Sequence, residues 1–407
     1  MNNLSKPRFL DPNTPPTLFT LVVVAATAAL SLNIFLPSLP AITEYFDASY
    51  GVVQFLVSGY LLTTVIVQFL VGPMSDRFGR RPVLLGGLAL FILASILCAT
   101  ATSVYVLLPA RVLQAAIVSG FAVSRAAIRD MSSGGAAASR IGYVTMGMAI
   151  APMTAPMIGG FLQEIYGWQS SFWVLAAAGG FTLLLCWRDL GETNLHKSSS
   201  FMVQVRSYPE LLKSRRFWAY ATCGGLGSAC FFAMLGGAPF VGDKVYGLSP
   251  SQFGIYFMFT PMGYMIGNFF TGRFAERFGI SRLMIAGATI TSIGMSLSLL
   301  VIALGASHPL AFFGFTISIG LGNGLVIPNA TAGMLNVHPR HAGTAAGLGG
   351  ALLTLCGAII SAVVASLLTV ERGVYPMLIC IIISALLALL FARYAASLEN
   401  QALESAG

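Results

Sequence analysis

The chain has 407 residues, of which 56% are hydrophobic and only 9% charged, with a mean hydropathy of +0.82 and a net charge of +8. Soluble domains carry about 25% charged residues, so this composition excludes a soluble domain, a disordered tail, a collagen-like repeat and a disulfide-stapled secreted fold. It fits a polytopic helical membrane protein, in which about 20 residues per span let twelve spans and their connections fill the length.

Apolar stretches bounded by Pro, Gly or charge predict spans at 18–39, 51–71, 83–102, 105–128, 140–162 and 169–187. A second set falls at 217–240, 251–271, 282–303, 310–332, 343–370 and 374–395. Between them lies the longest polar interruption, 188–216, carrying Arg188, Lys197, Arg206, Lys213, Arg215 and Arg216. The expected organisation is an N-terminal six-helix bundle over 1–187, a cytoplasmic linker over 188–216 and a C-terminal six-helix bundle over 217–407. With both termini cytoplasmic, all of the 22 basic residues except Arg111, Lys244 and Arg372 fall on the inner side, the distribution that the positive-inside rule demands. They are scattered loop anchors, so the positive charge calls for no nucleic-acid partner. The first span is too long for a cleaved signal peptide, and eleven more follow it. All 6 cysteines lie in apolar runs without metal-ligand spacing, which predicts small buried hydrophobes, no disulfide, no metal and no cofactor.

Along the chain, the first amide side chain deep in a span is Asn33, within Ser31-Leu-Asn33-Ile-Phe-Leu-Pro37. Gln54 in span 2 and Asn329 in span 10 are comparable, and such amides need internal partners in lipid. Span 2 ends in Gly72-Pro-Met-Ser-Asp76-Arg77-Phe-Gly79-Arg80-Arg81. Gly72 lets two helices approach, Gly79 permits a tight turn, and Asp76 suits the positive N-terminus of a neighbouring helix. Arg77, Arg80 and Arg81 anchor the inner face, with Arg80 placed to pair with Asp130 at the end of span 4. The stretch QFLVGPMSDRFG at 68–79 recurs as NFFTGRFAERFG at 268–279, an offset of 200. Two halves of equal topology make a parallel repeat about the membrane normal, which implies a cavity between them and alternating access.

In span 4, Gln114, Arg125 and Arg129 lie within about 60° of Arg111 around a helix, a polar stripe expected to line that cavity. Arg111 is open to two readings: a cargo or coupling residue, or a structural partner for amides and backbone carbonyls. Arg125 and Arg129 lie near the inner mouth, where snorkelling suffices. In span 5, Ala151-Pro152-Met-Thr-Ala155-Pro156-Met-Ile-Gly159-Gly160 combines small residues that allow close crossing with prolines that bend the helix. In span 8, Tyr256, Thr260, Tyr264 and Asn268 follow at four-residue steps, and Tyr256 is a candidate cargo wall. The 14 acids distribute without placing one in a membrane core. Asp11, Asp76, Asp130, Asp189, Glu192, Glu210, Glu276, Glu399 and Glu404 fall inside, and Glu44, Asp47, Glu164, Asp243 and Glu371 outside.

The loop after span 2 fills every position of G-x3-D-R-x-G-R-R and so resembles the signature of the major facilitator superfamily. The R-x-x-Q of span 4 and the Gly/Pro run of span 5 resemble two further motifs, the second being the antiporter motif of drug exporters. Together with Arg129-Asp130 and Gly324-x-x-x-Pro328-Asn329-Ala330, the chain over 15–395 resembles the bicyclomycin and chloramphenicol resistance (Bcr/CflA) branch of drug/proton antiporters. The resemblance implies an all-α polytopic membrane protein with 12 transmembrane helices in two pseudo-symmetric six-helix bundles around a central cavity. It implies substrate-binding or coupling residues at Asn33, Gln54, Arg111, Gln114, Tyr256 and Asn329. A conformational latch is implied at Gly72, Asp76, Arg77, Gly79, Arg80, Arg81 and Asp130, with Asp76 set against the start of span 11 near Gly343. Pro152, Pro156, Gly159 and Gly160 would form the antiporter motif. The implied work is multidrug efflux across a bacterial inner membrane by a monomer, with protons as counter-ion and no enzymatic step. No HxxxxD, DxD or HExxH constellation for a membrane enzyme is present.

One departure stands out: the family's span 1 usually carries an aspartate where this chain has Asn33. With Arg111 and no acid in the expected cavity, a cationic drug would find no partner and one charge to avoid. Neutral or anionic, phenicol-like cargo is therefore expected. The alternative is an uncoupled metabolite exporter, a uniporter on the same fold.

Overall fold

The computed structural model describes residues 7–131, 134–194, 211–337 and 342–404, and excludes the side chains of 72, 73, 129, 134–143, 145–150, 276, 342–344, 346 and 402–404. Within it the chain divides into two compact units, Met1–Phe201 and Met202–Gly407. The linker core at 195–210, the side chain of Arg129 and the surroundings of Gly343 lie outside the described residues.

Long apolar runs become helices because lipid offers no partner to a backbone N–H or C=O, and a helix satisfies both within the segment. The first unit comprises α1 (Leu18–Tyr45), α2 (Tyr50–Phe78), α3 (Arg80–Ala99), α4 (Val104–Gln114 continuing through Ser119–Met131), α5 (Gly134–Tyr166) and α6 (Gln169–Asp189). The second comprises α7 (Arg215–Val245), α8 (Pro250–Phe257 continuing as Phe259–Phe278), α9 (Ile280–Ala303), α10 (Leu310–Val337), α11 (Ala342–Leu367) and α12 (Tyr375–Glu404). Of these, 10 carry a stretch long and apolar enough to cross a membrane. The long helices α5 and α8 complete the expected twelve, and the apolar part of α8 is cut short by Arg273, Glu276 and Arg277. No strand occurs among the described residues. The outward surface is apolar: Leu93, Phe181, Ile293 and Leu390 are all more than half exposed, which suits lipid rather than water.

The repeat seen in the sequence extends into local geometry. Ser49 Oγ accepts from Val52 N–H to cap α2, and Ser249 Oγ accepts from Gln252 N–H to cap α8. At the other end, Gly79 (φ 105°) and Gly279 (φ 81°) hold the turns into α3 and α9, a backbone region open mainly to glycine. Packing repeats as well: α1 lies against α5 as α7 lies against α11, and α3 lies against α6 as α9 lies against α12. The halves differ at several seams: α8 and α10 share more contact than α2 and α4 do, and α7 lies more closely against α12 than α1 does against α6.

Candidate functional site

Arg111 sits in α4 one turn before the helix tightens into the 3-10 stretch Ala115–Val118, and its side chain is fully buried. Its Nε donates to the Leu56 carbonyl of α2 at 3.1 Å, and its Nη2 to the Ser31 carbonyl of α1 at 2.8 Å. Its Nη1 donates to Ser31 Oγ at 3.2 Å and to Gln114 Oε1. The guanidinium plane lies between two rings, 4.2 Å from the Phe35 centroid and 4.1 Å from that of Tyr60. Gln114 Nε2 donates in turn to Ser95 Oγ of α3 at 2.7 Å, and Ser95 donates to the Phe91 carbonyl. One cation thus ties four helices together through neutral acceptors and π-faces, which favour a charge that has left water. Arg111 and Gln114, expected along a cavity wall, are enclosed within the first bundle, whereas Arg125 farther down the stripe is exposed.

The acceptors from α1 are available because that helix is interrupted. It runs from Leu18 to Asn33, then turns through a 3-10 segment at Leu36–Ser38 started by Pro37. Asn33, at the break and 2% exposed, donates from Nδ2 to the Ala29 carbonyl at 2.7 Å. Its Oδ1 has no partner among the described residues. Gln54 is buried at the matching loosened turn of α2. Gly159 of α5 packs on this break: a Cβ there would overlap the Ile34 carbonyl. Pro152 and Pro156 lie within α5 about two turns and one turn earlier, and Gly160 is buried beside Gly159. The Gly/Pro run therefore places backbone against backbone at the bend in α1.

At the end of the first bundle where α2, α4 and α6 terminate, Arg80 is the hub. Its Nη1 pairs with Asp76 Oδ1 at 2.5 Å and donates to Ser75 Oγ at 2.6 Å, while its Nε reaches Asp130 Oδ2 at 3.2 Å. Arg81 donates to the Trp187 carbonyl at 2.9 Å, and Arg77 lies over the Phe78 ring. The pattern of motifs missed Asp189, the last residue of α6, which is fully buried. Four donors converge on its carboxylate: Leu10 N–H at 2.8 Å, Thr17 N–H at 2.9 Å, Thr17 Oγ1 at 2.8 Å and Thr20 Oγ1 at 2.6 Å. It caps α1 from the far end of the bundle's sequence, a pairing that local spacing does not reveal.

The remaining candidates belong to the second bundle. Tyr256 packs against Phe313 with ring centroids 5.6 Å apart and planes tilted by 35°. Asn329, 2% exposed, donates to the Leu325 carbonyl at 2.7 Å and to Thr271 Oγ1 at 3.3 Å, and Thr271 donates to the Gly324 carbonyl at 2.7 Å. Asn329 therefore joins α10 to α8. Among the described residues no cluster of His, Cys, Asp and Glu is placed to hold a metal ion.

Comparison with known proteins agrees with this architecture. The family model described as Major Facilitator Superfamily matches residues 21–355 and 239–405. An uncharacterized MFS-type transporter, YdgK of Bacillus subtilis, is 34% identical over 85% of this chain and 87% of its own. Multidrug resistance protein D of Escherichia coli is 28% identical, covering 88% and 90%, and a chloramphenicol resistance protein of Pseudomonas aeruginosa is 28% identical, covering 82% and 80%. Among solved structures, a peptide transporter superposes with a TM-score of 0.76 at 14% identity over 96% of this chain and 97% of that one, a likeness of fold alone.

Proposed function

The chain belongs to the major facilitator superfamily, within the branch of bicyclomycin and chloramphenicol resistance transporters, and from that premise we propose that it is a bacterial inner-membrane exporter of small amphipathic drugs. It is a transporter, not an enzyme. The names of its relatives support drug efflux. We read the cargo as neutral or anionic, of the phenicol kind, and the transport as alternating access in exchange for protons, with both termini on the cytoplasmic side.

One observation carries the reading of cargo charge. Arg111 is the cation buried among α1, α2 and α4, and every partner named for it is a carbonyl, a hydroxyl, an amide or a ring. Among the described residues no carboxylate pairs with it, so the field inside this bundle favours an electron-rich or anionic guest over a cation. In liposomes holding the purified protein, uptake of a neutral or anionic phenicol should exceed that of a quaternary ammonium drug of similar size. Transport of the quaternary cation alone overturns the assignment.

Coupling has a second reading, the uncoupled exporter, and Asn33 favours it because an amide cannot carry a proton in and out. Imposing a pH gradient on the same liposomes separates the two. A gradient-driven rate supports antiport, and a rate that ignores the gradient supports the uniporter. Asn33→Asp places a carboxylate at the break in α1 and should strengthen the response to pH. An unchanged response removes Asn33 as a coupling position.

A further inference from the structure

The residues that close α6 and follow it, Asp189-Leu190-Gly191-Glu192-Thr193-Asn194, have no regular structure beyond Asp189. Each polar side chain among them nevertheless meets the end of a different helix. Asp189 caps α1, as described above. Glu192 accepts from the N–H of Arg80 at 2.9 Å and of Arg81 at 3.2 Å, the first two residues of α3. Thr193 Oγ1 donates to Asp130 Oδ2 at 3.0 Å at the end of α4. Asn194 Nδ2 donates to the Asp76 carbonyl at 2.8 Å in the last turn of α2. Gly191 N–H donates to the Thr14 carbonyl at 3.1 Å, so the N-terminal segment lies along the same strip.

The contact with α3 explains a motif position. A helix leaves its first N–H groups unpaired and collects positive potential there. The residue before α3 is Gly79, which has no side chain to serve as a cap. Glu192 supplies that cap from 112 positions away, and a Cβ at Gly79 would overlap its Oε2. Gly79 is thus required by its φ of 105°, and its missing side chain leaves the space that the Glu192 carboxylate occupies. The second bundle offers a contrast: among the described residues no side chain accepts from the first N–H groups of α9, and Glu399 of α12 accepts from the Ser281 hydroxyl.

We infer that Glu192 is a positioning residue for the Arg80 cluster. By closing the first turn of α3 it sets the Cα of Arg80, and with it the direction from which the guanidinium meets Asp76 and Asp130. Thr193 holds the Asp130 oxygen that Arg80 shares. The segment acts as a clasp: while it is docked the charge cluster is assembled, and any movement of α2 or α4 relative to α3 must loosen it. The effect on turnover rests on the proposed export function, whereas the capping itself does not.

Two measurements on the full-length protein separate these. Amide hydrogen exchange should show the first turn of α3 exchanging about tenfold faster in Glu192→Ala than in wild type, with the first turn of α9 unchanged. Liposome transport should show the maximal rate reduced about tenfold per folded molecule and KM within about twofold. Glu192→Gln keeps an acceptor oxygen, should fall between the two, and serves if the alanine variant does not fold. Unchanged exchange at α3 overturns the inference, and so does normal turnover in a variant whose α3 has loosened. If the wild type moves no drug, the export reading fails, and the exchange result alone then decides whether Glu192 holds α3.

Discussion

In the first bundle α2 and α4 meet through a guanidinium, and in the second α8 and α10 meet through bare backbone. The two pairs occupy equivalent places: α10 starts and ends 206 positions after α4, at Leu310 and Val337 against Val104 and Met131. Arg111 and Gln114 then correspond to Ile317 and Gly320. A Cβ at Gly320 would overlap the Thr260 carbonyl, one at Gly324 would stand 2.6 Å from Asn268 N, and those at Gly263 and Gly267 would overlap the Ile317 and Leu321 carbonyls. Glycines four apart on both helices leave nothing between them there, and cohesion comes from dispersion and weak Cα–H contacts to carbonyls, with the neutral hydrogen bonds of Thr271 and Asn329 beside them. The first seam hangs on one side chain with directional bonds to α1, α2 and, through Gln114, α3. Its strength depends on charge and hydration, and that of the second does not. The repeat thus preserves the path of the chain while placing a charge-dependent seam in one half and a glycine-packed seam in the other.

The largest effect that would test this contrast lies at Arg111. Arg111→Ala leaves the carbonyls of Leu56 and Ser31 and the amide of Gln114 without their donor in a dry core. It should lower stability by about 3–5 kcal/mol and abolish transport, read by detergent melting and by drug susceptibility in an efflux-deficient host. Arg111→Lys keeps the charge but not the planar fork, and transport should still fall at least about tenfold. Normal transport by the lysine variant would mean that charge alone suffices and that the node is not directional. Next comes Gly320→Ala, which drives a methyl into backbone and should cost about 1–3 kcal/mol in melting, with charge selectivity unaltered. In the first bundle the α4 glycine Gly120 faces the Val24 side chain, with Cγ1 at 2.5 Å from a built Cβ. A rotamer change relieves that clash, so Gly120→Ala should be the milder of the two. The reverse order would break the comparison.

Much of this could be read before any coordinates, and what could not has a common cause. The offset of 200 between 68–79 and 268–279 was legible because both copies keep Gly79 and Gly279 at turns that need positive φ. Family membership and the helical fold followed from the same stretch. Asp189 and Glu192 are sorted only by side of the membrane, because their donors, Asn194 N–H apart, come from residues more than 100 positions away and are mostly backbone N–H groups common to every sequence. The four-residue steps of Tyr256, Thr260, Tyr264 and Asn268 on α8 suggested a cargo wall. The same helix presents Gly263 and Gly267 to α10, and Gly320 presses on the backbone of Thr260 and Tyr264, so much of that stripe is packing. Small residues announce close approach without naming the partner. Arg111 was recognisable as the odd charge in a span, yet its neutral partners Ser31, Leu56 and Gln114 carry no signal of their own.

The smallest effect is the most discriminating, since it compares one hydroxyl in each bundle. Thr271 Oγ1 donates to the Gly324 carbonyl and accepts from Asn329, beside a seam that glycines already hold. Thr271→Val should lower stability by about 1 kcal/mol and leave turnover within about twofold. Ser95 Oγ is a hydroxyl that accepts from Gln114 Nε2 at 2.7 Å, on a fully buried residue where Thr271 is half-buried. Ser95→Ala removes a comparable amount of bonding, and its melting point should shift by a similar amount. Its consequence should travel further, because Gln114 then loses the contact that orients its Oε1 toward Arg111. The expected pattern is equal loss of stability with unequal loss of turnover, several-fold greater for Ser95→Ala. Equal turnover in both variants would show that the node tolerates a loosened Gln114, and the contrast between a charge-dependent seam and a glycine-packed one would then have no bearing on turnover.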